Sequence, residues 1–341
     1  MRITLAGLGL ALVLSGCAAN GSDATSEADP EDVLTIYSGR DEELVSPLLA
    51  DLEDAVGVPV EVRYGDTAEL AAQLLEEGEN TEADLFFGQD AGALGALSDA
   101  DLLAPLGKGT TRQVAERFRD EDGMWAPTSA RARVLAYHPD QAPQAATFDS
   151  VDDLLVPELS GQVGYAPTNA SFQAFVTALR VTRGEDGARE WLEAFAANDP
   201  VAYDSNTVVL EAVDSAEIGV GLINHYYWYQ LAAEVGAESV DAKLRYLDSK
   251  DAGALINVAG VGVIEGSNQQ AAASDAVDFL LSEQAQRYFA DTTAEYPVVE
   301  GVQSTEHDLV PLDTIEAAPV DLDELDSLEQ TLELLQEVGL T

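Results

Sequence analysis

The sequence predicts an α/β protein made of two consecutive α/β units around a hinged cleft. Short β-rich runs alternate with amphipathic helical windows from Leu34 onward, and a second alternating series begins at 133–139. This alternation is typical of α/β domains with a largely parallel sheet. If the apolar run 254–266 returns to the first sheet, the chain crosses between lobes twice, near 128–135 and 250–258. Such a double crossover places a ligand between two lobes.

The first unit starts with a strand at Leu34, and strands and helices then alternate along it. Gly57 follows the first helix, and the turn Gly65-Asp66-Thr67 precedes the second, as expected for residues that end and begin helices. The predicted elements, in order, are strand 34–38, helix 41–56, strand 58–64, helix 67–77, strand 83–88 and helix 91–98.

The second unit shows the same alternation, and an amphipathic helix closes the chain. The predicted elements are strands 133–139 and 161–166, helices across 170–197, strand 201–205, a helix from Asn206, strands 218–224, 243–247 and 254–266, helical windows at 269–290 and the closing helix within 320–340. The two crossings divide the body into an N-lobe, 33–130 plus 257–307, and a C-lobe, 131–256 plus 308–341.

The N-terminus predicts export and lipid attachment. The apolar run "ITLAGLGLALVL" is too short to span a membrane and leads to "LSGC", which resembles a lipobox. Cys17 is the only cysteine, so it has no partner for an internal disulfide. We expect a signal peptide at 1–16 and a lipidated, acidic tether at 17–32, with the lipid as the only membrane contact. The alternative is a plain signal peptide with an incidental cysteine.

The chain is strongly acidic, with 63 acids against 16 bases and a net charge of −47. A hydrophobic fraction of 46% is that of a globular protein, so the acidity belongs to the surface. Such a surface repels nucleic acid and anionic lipid and suits a salt-loving source. Arginines beside apolar strands in so acidic a chain are therefore candidates for a structural or ligand-binding role.

The stretch "NHYYWYQ" at 224–230 contains two adjacent tyrosines. Neighbouring side chains point to opposite faces of a strand and diverge by about 100° on a helix, so a core seldom needs both phenols together. An aromatic core patch is the alternative. We find no phosphate loop, nucleophile elbow or zinc spacing, and the three histidines are scattered, so no motif favours an enzyme.

Several motifs together resemble the ferric-iron-binding lipoproteins and periplasmic proteins of ABC importers, sometimes called bacterial transferrins. They are "LTIYSGRDEELV", "ADLFFGQDAGAL", "SARARVLAYHP", "GYAPTNASFQAF", "YDSNTVVLEAV", "INHYYWYQ" and "AEYPV". The resemblance implies a type II periplasmic-binding-protein fold, with Fe3+ bound by Tyr226 and Tyr227. It also implies a monomer on the extracytoplasmic side of the membrane, with an ABC permease and its ATPase subunit as partners.

The chemistry of Fe3+ agrees with this assignment. Fe3+ is a hard cation that prefers anionic oxygen, and a metal can displace the proton of a phenol. Fe3+ bound by two phenolates keeps about one unit of positive charge. This charge favours the binding of a synergistic carbonate or phosphate.

The same resemblance implies donors for that anion. Arg131 matches a position that contacts the anion, and Arg40 matches an arginine used by one subgroup. A helix N-terminus at 169–171 and two further asparagines would add donors. The implied anion-binding residues are Arg131, Arg40, Asn169, Ala170, Ser171, Asn206 and Asn224. The alternatives are a salt bridge for each arginine and helix capping for the asparagines.

Two positions depart from the family pattern. Asp41 stands where some members have a histidine, and Gln89 stands where they have a glutamate. Asp41 is therefore a candidate third metal ligand, whereas the neutral amide of Gln89 is a poor donor for Fe3+.

The leading hypothesis is a protein that captures Fe3+ outside the cell and delivers it to a permease. The nearest alternative is the same fold binding a small organic anion, a ferric chelate or another metal. A hydrolase or transferase is a third class, but no His-Asp or Cys-His arrangement is recognisable.

Overall fold

A computed structural model describes residues 33–247, 251–325 and 327–341. The predicted signal peptide, the lipidation site at Cys17 and the tether all precede residue 33 and lie outside the described residues. Within these described ranges, no helix combines the length and the apolar character needed to cross a membrane.

The described strands form one twisted sheet in the order β2-β1-β3-β9-β4-β7-β5-β6, and β8 and β10 also pair with β4. The strands are β1 (Leu34–Ser38), β2 (Val60–Tyr64), β3 (Leu85–Gly88), β4 (Trp125–Tyr137), β5 (Val163–Tyr165), β6 (Val201–Ala202), β7 (Val220–Asn224), β8 (Lys243–Arg245), β9 (Ile256–Val263) and β10 (Tyr296–Pro297).

Helices pack on both halves of this sheet, with α3 and α8 against β9 and α6 against β7. Their bounds are α1 (Glu42–Val56), α2 (Thr67–Glu77), α3 (Ala91–Asp99), α4 (Lys108–Thr111), α5 (Ala170–Ala197), α6 (Asn206–Asp214), α7 (His225–Val235), α8 (Gln270–Leu280), α9 (Glu283–Asp291) and α10 (Leu328–Val338).

The predicted alternation of strands and helices is confirmed, but the sheet is mixed, so the prediction of a largely parallel sheet was wrong. β1 runs parallel to β2 and β3, and β5 runs parallel to β6 and β7. In contrast, β9 is antiparallel to β3 and β4, and β4 is antiparallel to β7. The reason is the crossover itself, because β4 leaves the first lobe and β9 returns to it, so these strands run in opposite directions.

Several elements differ in extent from the prediction, most of all β4, which begins at Trp125 although the sequence predicts a strand only at 133–139. Strand β6 ends at Ala202, because Ser205 already caps α6 by accepting a hydrogen bond from the Val208 amide. The predicted helices across 170–197 are confirmed, because α5 consists of two helical segments separated at Gly184, where φ is 71°. The closing helix begins at Leu328, later than predicted.

Strand β4 carries the chain from one lobe to the other. Its residues Trp125–Ala132 pair with β9, and Arg133–Tyr137 pair with β7. Strand β9 begins at Ile256, directly opposite Ala132. The two crossover strands therefore meet where β4 changes partners. Arg131 and Arg133 lie at this point, which is the junction between the lobes. The division into 33–130 plus 257–307 and 131–256 plus 308–341 remains a proposal.

Candidate functional site

A small polar cavity lies where β4 changes partners. Its volume is about 10 Å3, roughly the space for one water-sized species. The pairing register explains part of its lining, because Arg131 lies opposite Asn257 on β9 and Arg133 lies opposite Asn224 on β7. The lining residues are Gln89, Asp90, Arg131, Arg133, Ser171, Asn224, Leu255 and Asn257.

The two adjacent tyrosines do not line this cavity themselves, but Tyr226 contacts Gln89, which does. Strand β7 ends at Asn224 and α7 begins at His225, so Tyr226 and Tyr227 occupy the first turn of the helix. Their ring centroids are 4.3 Å apart and the rings are tilted by 34°. Tyr226 is fully buried, and the Gln89 side chain, which follows β3 in the other lobe, donates a hydrogen bond to its hydroxyl at 3.5 Å.

Tyr226 stays protonated near neutral pH unless a metal replaces its proton. Burial raises the pKa of its phenol well above the usual value near 10, and Tyr227 adds to the rise. The Arg131 guanidinium opposes this shift but does not reverse it. A metal that binds here must therefore displace a proton.

Arg133 is a buried cation that the sequence analysis did not single out. Its Nη1 donates to the Ser171 hydroxyl at 2.9 Å and its Nη2 donates to the Leu222 carbonyl at 3.3 Å, but Nε has no partner. Among the described residues, no carboxylate forms an ion pair with it. Burial lowers its pKa to about 9, although Tyr227 and Tyr226 oppose this shift. The motif "ARARV", which places two arginines on an apolar strand, is the sequence feature that could have identified Arg133.

Arg40 and Arg131, the two predicted anion donors, share one buried carboxylate. Arg40 Nη2 lies 2.6 Å from Glu295 Oε2, and Arg131 Nη2 lies 3.3 Å from Glu295 Oε1. Arg40 also donates to the Ser129 hydroxyl and does not line the cavity, so its geometry favours the salt-bridge alternative. Arg131 does line the cavity and donates to the Gln89 carbonyl.

Glu295 was also missed, although it lies in the motif "AEYPV" that carries the family resemblance. Burial alone would raise its pKa, but Arg40 and Arg131 outweigh that effect and hold the pKa below its usual value. Glu295 is therefore ionised, and it partly neutralises two of the three arginines at the junction between the lobes.

An amide network surrounds the start of α5, whose first residue is Ala170. Asn169 caps this helix, because its Oδ1 accepts hydrogen bonds from the Ser171 amide at 3.0 Å and from Asn206 Nδ2 at 3.0 Å. Asn206 Nδ2 also donates to the Ser171 hydroxyl at 3.0 Å. Two buried amide atoms keep no partner, Asn206 Oδ1 and Asn224 Nδ2. The capping alternative therefore fits Asn169, while Asn206 and Asn224 retain unused hydrogen-bonding groups.

Asp41, the candidate third metal ligand, lies outside the cavity lining. It is exposed and caps α1 by accepting a hydrogen bond from the Glu43 amide at 2.9 Å. The first lobe instead presents Asp90, the cap of α3, beside Gln89 at the cavity. Loss of hydration raises the pKa of Asp90, whereas backbone amides and Arg131 lower it.

Other common metal ligands do not gather in the described part of the chain. No group of three His, Cys, Asp or Glu residues there could hold a metal ion. His225 is buried, its ring stacks on Tyr296 with centroids 4.3 Å apart, and burial lowers its pKa to about 3. The oxygen donors near this site are the two phenols and the Asp90 carboxylate, and such donors suit a hard, highly charged cation.

A two-lobed α/β fold with two crossover strands and a cavity where they meet is the architecture of a solute-binding protein. The sequence pattern of the bacterial extracellular solute-binding proteins matches residues 80–326, and the chain belongs to this family.

Characterised relatives cover nearly the whole chain. The Fe(3+)-binding periplasmic protein of Serratia marcescens is 33% identical over 343 residues, covering 100% of both chains. The major ferric iron-binding protein of Neisseria meningitidis serogroup A is 32% identical over 309 residues, covering 90% of this chain and 93% of the relative. The structure of iron-bound HitA from Pseudomonas aeruginosa superposes with a TM-score of 0.84 at 32% identity, covering 90% and 99%.

Proposed function

We propose that this chain captures ferric iron together with a synergistic anion and delivers it to an ABC permease with its ATPase subunit. The observation that carries the proposal is the pair Tyr226 and Tyr227, because the buried Tyr226 contacts Gln89 in the cavity lining. The relatives named for ferric iron binding support it. Metal capture by two phenols needs no catalytic group, in keeping with a transport role.

The charge at the site supports a bound anion. Two phenolates reduce the charge of Fe3+ to about one positive unit, and phenolate is the donor that such a hard cation prefers. Arg131 and Arg133 add positive charge, while Asn224 Nδ2 offers an unpaired donor at the same cavity. Carbonate or phosphate would neutralise the cluster and complete the coordination. Asp41 would be a further ligand if its exposed carboxylate reached the metal from the first lobe.

A second candidate is a protein of the same fold that binds an organic anion without metal. The observation in its favour is the pair of arginines that lines the cavity. The candidates differ in colour, because Fe3+ bound to tyrosinate absorbs visible light and an anion alone does not.

The direct test is a titration of the purified protein with ferric citrate, followed by removal of excess iron. We expect about one iron per chain and a visible absorption band. A protein that remains colourless and free of iron, but binds citrate alone, would support the second candidate.

We also propose that Cys17 is lipidated and anchors a monomeric protein on the extracytoplasmic face of the membrane. The support is the "LSGC" motif after an apolar run and the absence of a second cysteine in the sequence. Cys17→Ser should release the protein into the soluble fraction. A variant that still sediments with membranes would contradict lipid anchoring.

A further inference from the structure

We infer that His225 is a positioning residue for the two phenols, because its side chain holds the first turn of α7 against the junction between the lobes. The inference rests on the proposed function, in which Tyr226 and Tyr227 bind ferric iron. His225 does not touch the metal in this account. It fixes the direction in which the two following side chains point.

The first argument is the place that the His225 side chain fills. One edge of β4 pairs with β10 up to Ala130 and with β7 from Arg133 onward, which leaves a gap between these two strands. The Arg133 amide donates to the Leu255 carbonyl on the other edge. Because successive amides of a strand point to opposite edges, the Ala132 amide points into the gap. There His225 Nδ1 accepts its hydrogen bond at 3.3 Å.

The second argument is that α7 also contacts the first lobe. The His225 ring stacks on Tyr296 of β10, with centroids 4.3 Å apart and 12° between the planes. Further along α7, Gln230 Nε2 donates to the Thr293 carbonyl at 3.0 Å. The helix that carries the two phenols is therefore held by the same turn of the first lobe that contains Glu295.

The third argument is the arrangement that a single metal ion requires. Side chains of consecutive helical residues diverge by about 100°, yet the rings of Tyr226 and Tyr227 lie 4.3 Å apart. A small rotation of the first turn would move one hydroxyl away from a shared metal. His225 is the first residue of α7 and is fully buried, so its contacts with Ala132 and Tyr296 resist this rotation.

The fourth argument is the unfavourable burial of the other ring nitrogen. Because Nδ1 of His225 accepts a hydrogen bond, Nε2 carries the proton, and Nε2 is buried without a partner. An unpaired buried donor destabilises a fold. A phenylalanine would avoid this destabilisation and keep the stack on Tyr296, but it would leave the Ala132 amide without its acceptor.

The test compares His225→Ala, His225→Phe and His225→Asn in the full chain, by chelator competition for iron and by the visible band of the iron-bound protein. We expect His225→Ala to lower iron affinity tenfold or more and to shift the band, because the band reports the geometry of the iron–tyrosinate bonds. His225→Phe keeps the stack, and His225→Asn keeps an acceptor at the position of Nδ1. Each of these two variants should lie between wild type and His225→Ala.

His138→Ala is the matched control. His138 is also buried, and its Nδ1 accepts the Asp140 amide at 3.3 Å, but it follows the far end of β4. Its replacement should lower the Tm and leave the iron affinity and the visible band as in wild type. Thermal unfolding of all variants without iron then separates positioning of the phenols from general stability.

Several outcomes would overturn the inference. One is wild-type affinity and band in His225→Ala, and another is lower affinity with an unchanged band, since the phenols would then have kept their arrangement. An equal loss of affinity in His138→Ala would assign the effect to general stability. If His225→Ala does not fold, wild-type iron binding by both His225→Phe and His225→Asn would overturn it. These results leave the proposed function intact, whereas a wild type that binds no iron would reject the proposed function and this inference with it.

Discussion

The rings of Tyr226 and Tyr227 lie 4.3 Å apart at the first turn of α7, and their hydroxyls interact. Consecutive helical side chains normally diverge, so this arrangement places two phenols on one side of the helix start. Burial favours the protonated form of Tyr226, so the pair becomes a strong anionic donor set only when a metal replaces its protons.

Iron affinity should therefore increase with pH. The buried Tyr226 phenol releases its proton when Fe3+ binds, so the affinity should rise with pH between pH 6 and 8. The pKa of Tyr226 is raised, so its phenol is protonated throughout this range in the iron-free protein. Competition against a chelator of known pH dependence measures the slope. Tyr226→Phe should reduce this slope, and a pH-independent wild type would contradict phenolate ligation.

Glu295→Gln should destabilise the protein. This change leaves Arg40 and Arg131 as buried cations without their shared carboxylate, and breaking such a buried pair costs about 3–5 kcal/mol. Chemical denaturation should reveal a lower free energy of unfolding. Glu283→Gln, which removes an exposed ion pair with Arg287, should change stability little. Equal effects of the two changes would refute this account of Glu295.

The same carboxylate predicts how stability depends on acid. The pKa of Glu295 is lower in the folded protein than its usual value of 4.5, because both arginines outweigh the effect of burial. Its contribution is therefore complete above about pH 4.5 and is lost as the pH falls through the folded pKa. Denaturation midpoints between pH 6 and 3 should fall less steeply for Glu295→Gln than for wild type. Parallel curves would show that Glu295 does not titrate in this range.

Capture of iron should require movement of the lobes. A cavity of about 10 Å3 cannot admit Fe3+ and an anion together, so the groups around it must separate and close again. The hydrogen bond between Gln89 and Tyr226 joins the two lobes, so it should break when the lobes separate. Small-angle scattering should show a smaller radius of gyration with iron than without it. An unchanged radius would mean that the site is preformed or lies within the second lobe.

The first-lobe positions that differ from the family pattern should contribute unequally. Gln89→Ala should cost little iron affinity, because the amide brings no charge and its hydrogen bond to Tyr226 is long at 3.5 Å. Asp41→Asn preserves the helix cap, so an intermediate loss of affinity would report a carboxylate that reaches the metal. Affinity equal to wild type in Asp41→Asn would remove Asp41 from the ligand set.

Much of the fold could be predicted from the sequence because local signals and packing agree. The strand Leu34–Ser38 and the helix Thr67–Glu77 appear at the predicted residues, and the run from 254 does return to the first sheet through β9. Strand direction could not be predicted in the same way. It depends on which strand the chain meets after crossing, and periodicity within one strand carries no information about its neighbour.

The site was only partly predictable. "NHYYW" identifies the phenols because adjacent tyrosines are an unusual local pattern, but the partner of a buried charge is set by tertiary packing. Glu295 lies 255 positions from Arg40 in the sequence and still forms the closest ion pair at the site. The same holds for Arg133, whose lack of a carboxylate becomes visible only when all of its neighbours in space are known.

The central claim is that Tyr226 and Tyr227 bind ferric iron as phenolates, and the most direct measurement is the visible spectrum during iron titration of single phenylalanine variants. Tyr226→Phe and Tyr227→Phe keep the ring and nearly all of its buried apolar area, so folding should change little. We expect iron affinity to fall by orders of magnitude in each, with a weakened or shifted band. Tyr229→Phe is the control on the same helix, because its hydroxyl bonds the Asp308 carbonyl at 3.1 Å, and it should keep the wild-type band. If both variants bind iron as wild type does while losing thermal stability, the pair is core packing and the iron site is refuted.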